Sequence, residues 1–104
     1  LYPENTEAIA LKKKIEAFKL CDDGFKACES GYYDYAIKKF DKALKLDKSK
    51  KLLYKIFYGK ALVYYHKEEY DKAYKKINNA ISIYPGSQEA CLLKHYFLFL
   101  WQLL

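Results

Sequence analysis

Apolar positions recur at helical spacing along most of the chain. They fall at Ile9, Ile15, Phe18, Phe25 and Cys28 before Ser30–Gly31 breaks the run. Thr6, which follows Pro3 and Asn5, can cap this first helix. A second helix is predicted from about Asp34 to Leu46, with Ala36, Ile37, Phe40, Ala43 and Leu44 on one face. Polar Asp47–Lys50 reads as a loop. A third helix runs from about Lys51 to His66, and Lys67–Glu69 links it to a fourth from about Asp71 to Ile83. The stretch Tyr84-Pro85-Gly86-Ser87 ends the fourth helix. Ser87 can cap a fifth helix, with Glu89 in its first turn, running to the end of the chain. Five helices of roughly 13 to 20 residues on short links predict an all-α, antiparallel helix-hairpin stack.

An internal repeat sharpens that expectation. Tyr33 to Leu46 reads YDYAIKKFDKALKL, and Tyr70 to Ile83 reads YDKAYKKINNAISI. Six of these fourteen positions are identical at a constant offset of 37. Most of the rest are conservative: Phe40 against Ile77, Leu44 against Ile81, Leu46 against Ile83. The same offset sets small Gly24 against small Ala61 in the preceding helices. A repeat near this period points to a helical solenoid.

At these residues the chain resembles the tetratricopeptide repeat family. The first unit is similar at Gly24, at the Gly31-Tyr-Tyr-Asp turn, and at Ala36, Phe40 and Ala43. The second is similar at Ala61, Tyr64, Tyr70-Asp71, Ala73, Ala80 and Pro85. The family's period is about 34, so the 37 here implies three extra residues between units. Lys48 stands where the first unit would carry Pro. Asp23 and Lys60 stand where large apolar residues are common, and His95 where a small one is expected. The resemblance divides the chain into an N-terminal helical extension (1–16), a first repeat (17–50), a second (54–87), and helix A of a partial third repeat or a capping helix (88–104). It implies a non-catalytic scaffold for protein–protein interaction within a larger protein or complex.

The resemblance also implies a binding groove on the concave side, formed by the first helix of each unit. Carried over position by position, that groove takes Phe18, Cys21, Phe25 and Cys28 from the first repeat. It takes Lys55, Tyr58, Leu62, Tyr65 and His66 from the second, and Glu89, Leu92, Tyr96 and Phe99 from the third. The surface is apolar and aromatic, which suits a hydrophobic peptide or amphipathic helix segment. The alternative is that some of these residues pack on further helices of the parent protein. Chaperone-binding members hold a C-terminal carboxylate with Asn and basic side chains. Here the matching positions hold Cys21, Phe25, Gly59 and Leu93, so no such clamp is expected.

Charge and candidate chemistry add little to this picture. The formal net charge is +6 and all 19 basic residues are Lys, spread along the chain. Dispersed Lys without Arg reads as solvated helix faces, and no nucleic-acid partner is expected. The densest group, Lys48, Lys50, Lys51 and Lys55, reads as an inter-helix loop. Cys21, Cys28 and Cys91 form no CxxC pair, so no metal or cofactor is expected. Their odd number suggests reduced thiols and an intracellular, reducing compartment, cytoplasmic or organelle-associated. His66 and His95 stand alone, and the acidic pairs are adjacent in sequence and diverge around a helix, so no enzyme activity is expected. There is no Met, and the chain ends in an apolar run, so a segment of a longer protein is expected. In that run Tyr96 to Leu104 holds one polar residue, Gln102. A solenoid end is normally polar outside, so residues 91–104 are expected to be covered by further helices or a neighbouring subunit. A membrane-associated adaptor is the second reading, although Lys94 and His95 interrupt the run before the length of a span. The missing clamp has a direct check. A peptide ending in Glu-Glu-Val-Asp should show no carboxylate-dependent binding at micromolar concentration in a fluorescence titration.

Overall fold

The computed structural model describes residues 5–103. Five α-helices follow in order: α1 Thr6–Glu29, α2 Tyr33–Leu46, α3 Lys50–His66, α4 Tyr70–Ile83 and α5 Gln88–Leu103. Each boundary after α1 lies within a residue or so of the spacing-based expectation. α1 is longer than expected, at 24 residues, and passes unbroken through the 16/17 boundary. Its cap is Asn5 rather than Thr6: the Asn5 side chain accepts from the Glu7 N–H at 2.8 Å. Ile15, placed on the apolar face from its spacing, is 49% exposed, and Ala17 takes the buried position. Pro3 and Leu104 lie outside the described residues.

Antiparallel pairs α1–α2 and α3–α4 form two hairpins. α3 then seats against both α1 and α2, and α5 against α4. Each helix therefore meets only near neighbours, and the stack is elongated, 64 × 30 × 16 Å. Its radius of gyration is 15.5 Å, against about 13 Å for a spherical domain of this size. The outer helices α2 and α4 carry one buried stripe each, Ala36-Phe40-Ala43 and Ala73-Ile77-Ala80. One large residue between two alanines lets the partner helix approach closely. α3 differs because it is packed on two sides. Leu52, Ile56 and Val63 belong to the first core cluster, and Ala61 to the second. A helix buried on opposite faces shows no single apolar stripe.

The turn inside each hairpin repeats at the same offset. Tyr32 N–H donates to the Ala27 carbonyl at 2.9 Å and Gly31 N–H to Cys28 at 3.1 Å. In the second hairpin Glu69 N–H donates to Tyr64 at 2.9 Å and Glu68 N–H to Tyr65 at 3.0 Å. This is the Schellman pattern, which satisfies carbonyls at a helix end and needs one left-handed residue. Gly31 fills that place at φ 86°. Glu68 fills it at φ 63°, where a side chain costs about 1–2 kcal/mol. Lysines tie the hairpins together. Lys60 on α3 reaches Asp41 on α2 at 2.6 Å, and Lys67 reaches Asp34 at 3.0 Å. Lys60 occupies its unusual position by burying its stem and leaving its ammonium on a carboxylate.

The Phe40 ring is fully buried between two glycines of other helices. A Cβ at Gly24 of α1 would lie 2.6 Å from the ring, and one at Gly59 of α3 would lie 2.5 Å from it. Phe25 closes the ring edge-on at 5.3 Å between centroids. Gly59→Ala gains about 1 kcal/mol in helix propensity but overpacks the ring at a cost of about 1–3 kcal/mol. Chemical denaturation should therefore show a net loss of about 1 kcal/mol. In a Phe40→Ile background, which copies Ile77, the same change should be neutral or stabilising.

Candidate functional site

α1 and α3 are the first helices of the two hairpins and α5 follows the second; faces of the three converge on a cavity of about 290 Å³. Asp22 and Phe25 line it from α1, Tyr54, Lys55 and Tyr58 from α3, and Glu89 from α5. Tyr54, Lys55 and Glu89 also line a second concavity of about 460 Å³, shared with Lys51, Tyr84 and Ser87. The two spaces adjoin through these shared walls. Local chemistry holds the walls in place. The Ser87 Oγ accepts from the Ala90 N–H at 3.3 Å and so caps α5 as expected. The same Oγ is hydrogen-bonded to the Tyr54 hydroxyl, which fixes the start of α5 on α3. Tyr84 packs edge-on against Tyr54 at 5.3 Å.

The residues carried over for the groove fall into four groups. Phe25, Lys55, Tyr58 and Glu89 line the cavity together. Phe18 lies beside them, half-buried, with the Lys55 ammonium 5.5 Å from its ring centroid. Cys21 and Cys28 are buried in the first core cluster, and Leu62 packs against that cluster. Tyr65 and His66 sit further along α3. Tyr65 stacks on Phe97 at 5.2 Å and His66 on Tyr33 at 5.9 Å, so both join helices. Leu92, Tyr96 and Phe99 form an exposed stripe on α5, at 69%, 50% and 59% exposure, continued by Leu103 at 67%. They do not line the cavity. Asp22 and Tyr54 line it without having been singled out from the sequence. Their signal was present: Asp22 stands three residues before Phe25 and Tyr54 four before Tyr58, each on the same helix face.

The electrostatics of the site follow from burial. Desolvation pushes the Cys21 thiol up to about 11, with nearby Lys55 opposing the shift. Burial also raises Cys28, and Tyr58 is raised by burial first and then by the Glu89 carboxylate. Cys21 is thus a packed apolar group rather than a nucleophile. Among the described residues no group of three His, Cys, Asp or Glu is placed to hold a metal ion. A larger concavity of about 540 Å³ lies between α3 and α4, lined by Tyr64, Lys72, Lys75, Lys76, Asn78 and Asn79. Two of its three lysines are engaged locally: Lys72 and Lys76 lie over the Tyr64 and Phe57 rings at 5.7 and 5.6 Å.

Compared with family models, with curated proteins and with solved structures, the chain gives no match to any of the three. The thiols offer a test of the packing. With an aromatic disulfide reagent at about pH 8, half-buried Cys91 should react first, and Cys21 only as fast as the chain unfolds. The folded Cys21 thiol holds its proton up to about 11, against 9.0 for a free thiol. The stability that this thiol contributes is therefore present below about pH 9 and is lost as pH rises toward 11. Denaturant midpoints across that range should show the fall, and the Cys21→Ala variant should lack the part due to this thiol.

Proposed function

We propose that the chain is a tetratricopeptide-like, non-catalytic interaction module that binds a peptide or helix segment of another protein along the α1–α3–α5 face. The observation that carries this reading is the aromatic cavity formed by Phe25, Tyr54 and Tyr58 between successive first helices. The repeat supports it in geometry. Gly31 and Glu68 share a left-handed turn, and Phe40 and Ile77 share a core position, both at the offset of 37. A stack in which hairpins meet only their neighbours leaves an open face between first helices, where an extended segment can lie. The three unpaired thiols suit a reducing compartment.

A second reading rests on α5. Leu92, Tyr96, Phe99 and Leu103 leave one side of it apolar and exposed. Further helices of the same chain, a neighbouring subunit or a bilayer surface could cover that side. No helix among the described residues is long and apolar enough to cross a membrane.

Tyr58→Ala tests the groove more cleanly than a change at Leu62, because Leu62 packs on the first core cluster. Affinity capture of the protein from its own cells should identify partners that the Tyr58→Ala variant loses by about tenfold, with helical circular dichroism unchanged. Retention of every partner by a folded Tyr58→Ala protein would refute the groove.

A further inference from the structure

The cavity carries a charge opposite to the chain. The whole chain has a formal charge of +6, yet the charged groups lining this space are two carboxylates, Asp22 and Glu89, and one ammonium, Lys55. That ammonium is turned toward α1, 5.5 Å from the Phe18 ring centroid, and Phe18 is not part of the lining. Asp34, Asp41 and Glu69 take Lys67, Lys60 and Lys72 as ion-pair partners. Among the described residues, Asp22 and Glu89 have no such partner. They stand on different helices, α1 and α5, and line the same space as Phe25, Tyr54 and Tyr58.

We infer that the segment bound here carries a basic side chain, Lys or Arg, flanked by apolar residues, with its cation seated between Asp22 and Glu89 and its stem along the aromatic walls. This rests on the groove reading above and adds the chemistry of its occupant. Ring faces carry negative quadrupole charge and attract a cation. A long aliphatic stem ending in a charge buries its carbons and leaves its head at the rim. A volume of about 290 Å³ fits one such side chain, being at the lower end of small-molecule pockets. The Glu89 carboxylate lies close enough to the Tyr58 wall to help raise its hydroxyl pKa. An acidic segment would meet like charges at both carboxylates.

The test is selection of a random twelve-residue phage-displayed library on this 104-residue chain at physiological salt. Parallel selections use Tyr58→Ala and Asp22→Asn/Glu89→Gln. Recovered peptides should share a Lys or Arg flanked by apolar or aromatic residues. Replacing that residue by norleucine should weaken binding about tenfold in fluorescence anisotropy. The doubly neutralised variant should bind both peptides alike. The chain's positive net charge favours acidic peptides at long range, so a basic preference reports the local cavity. Apolar or acidic peptides that depend on Tyr58 but carry no required basic residue would overturn the inference and leave the groove intact. So would a basic preference unchanged in the doubly neutralised variant. Peptides indifferent to Tyr58→Ala, binding confined to anionic vesicles, or self-association across this face would overturn both.

Discussion

One ring organises the stack. Phe40 projects from α2 into a space that exists only because α1 offers Gly24 and α3 offers Gly59. Both glycines sit inside helices, where each costs about 1 kcal/mol relative to alanine. The cost is offset by what the missing side chains allow. Three helices close on one aromatic residue with no solvent left at it, and Phe25 adds an edge-on contact. The second unit solves the same problem with a smaller plug. Ile77 replaces Phe40, and Ala61 stands where Gly24 stood, both fully buried. Size and space change together, as close packing requires.

That junction also places the candidate site. With α2 plugged between α1 and α3, the two first helices lie side by side and their outer faces border a common space. The hydroxyl contact between Tyr54 and Ser87 brings the start of α5 to the same space. Phe25 links the two regions, touching the Phe40 plug while lining the cavity. The abundant lysines serve the same architecture. Lys39, Lys55, Lys72, Lys76 and Lys94 each lie over a ring at 5.0 to 5.7 Å. Each ammonium is attracted by the ring face beneath it, and the aliphatic stem beside it can cover aromatic surface.

Helix number, order and most boundaries were legible in the sequence because each outer helix has a single buried stripe and two of the four turns carry a breaker, at Gly31 and at Pro85-Gly86. The all-α hairpin stack follows from that pattern, and the 37-residue offset pairs turn with turn and core with core. The cavity was legible only in part. Phe25, Lys55, Tyr58 and Glu89 came from matching positions along first helices, but Asp22 and Tyr54 did not. Position within a repeat says which way a residue points; it does not say where two helices leave a gap. Cys21 and Cys28 show the converse. The resemblance placed them on the groove, yet the approach of α1 to its neighbours closes over them.

The sequence by itself determined periodicity, turns and the exchange of Phe40 for Ile77. These are local consequences of side-chain size, helix phase and backbone preference. Tertiary structure decided the rest: which of two faces of α3 belongs to which core, which carboxylates go without a lysine, and which aromatic residues border open space. Each of those depends on distances between segments far apart in the chain, set by how closely helices can approach. No pattern within one helix contains them.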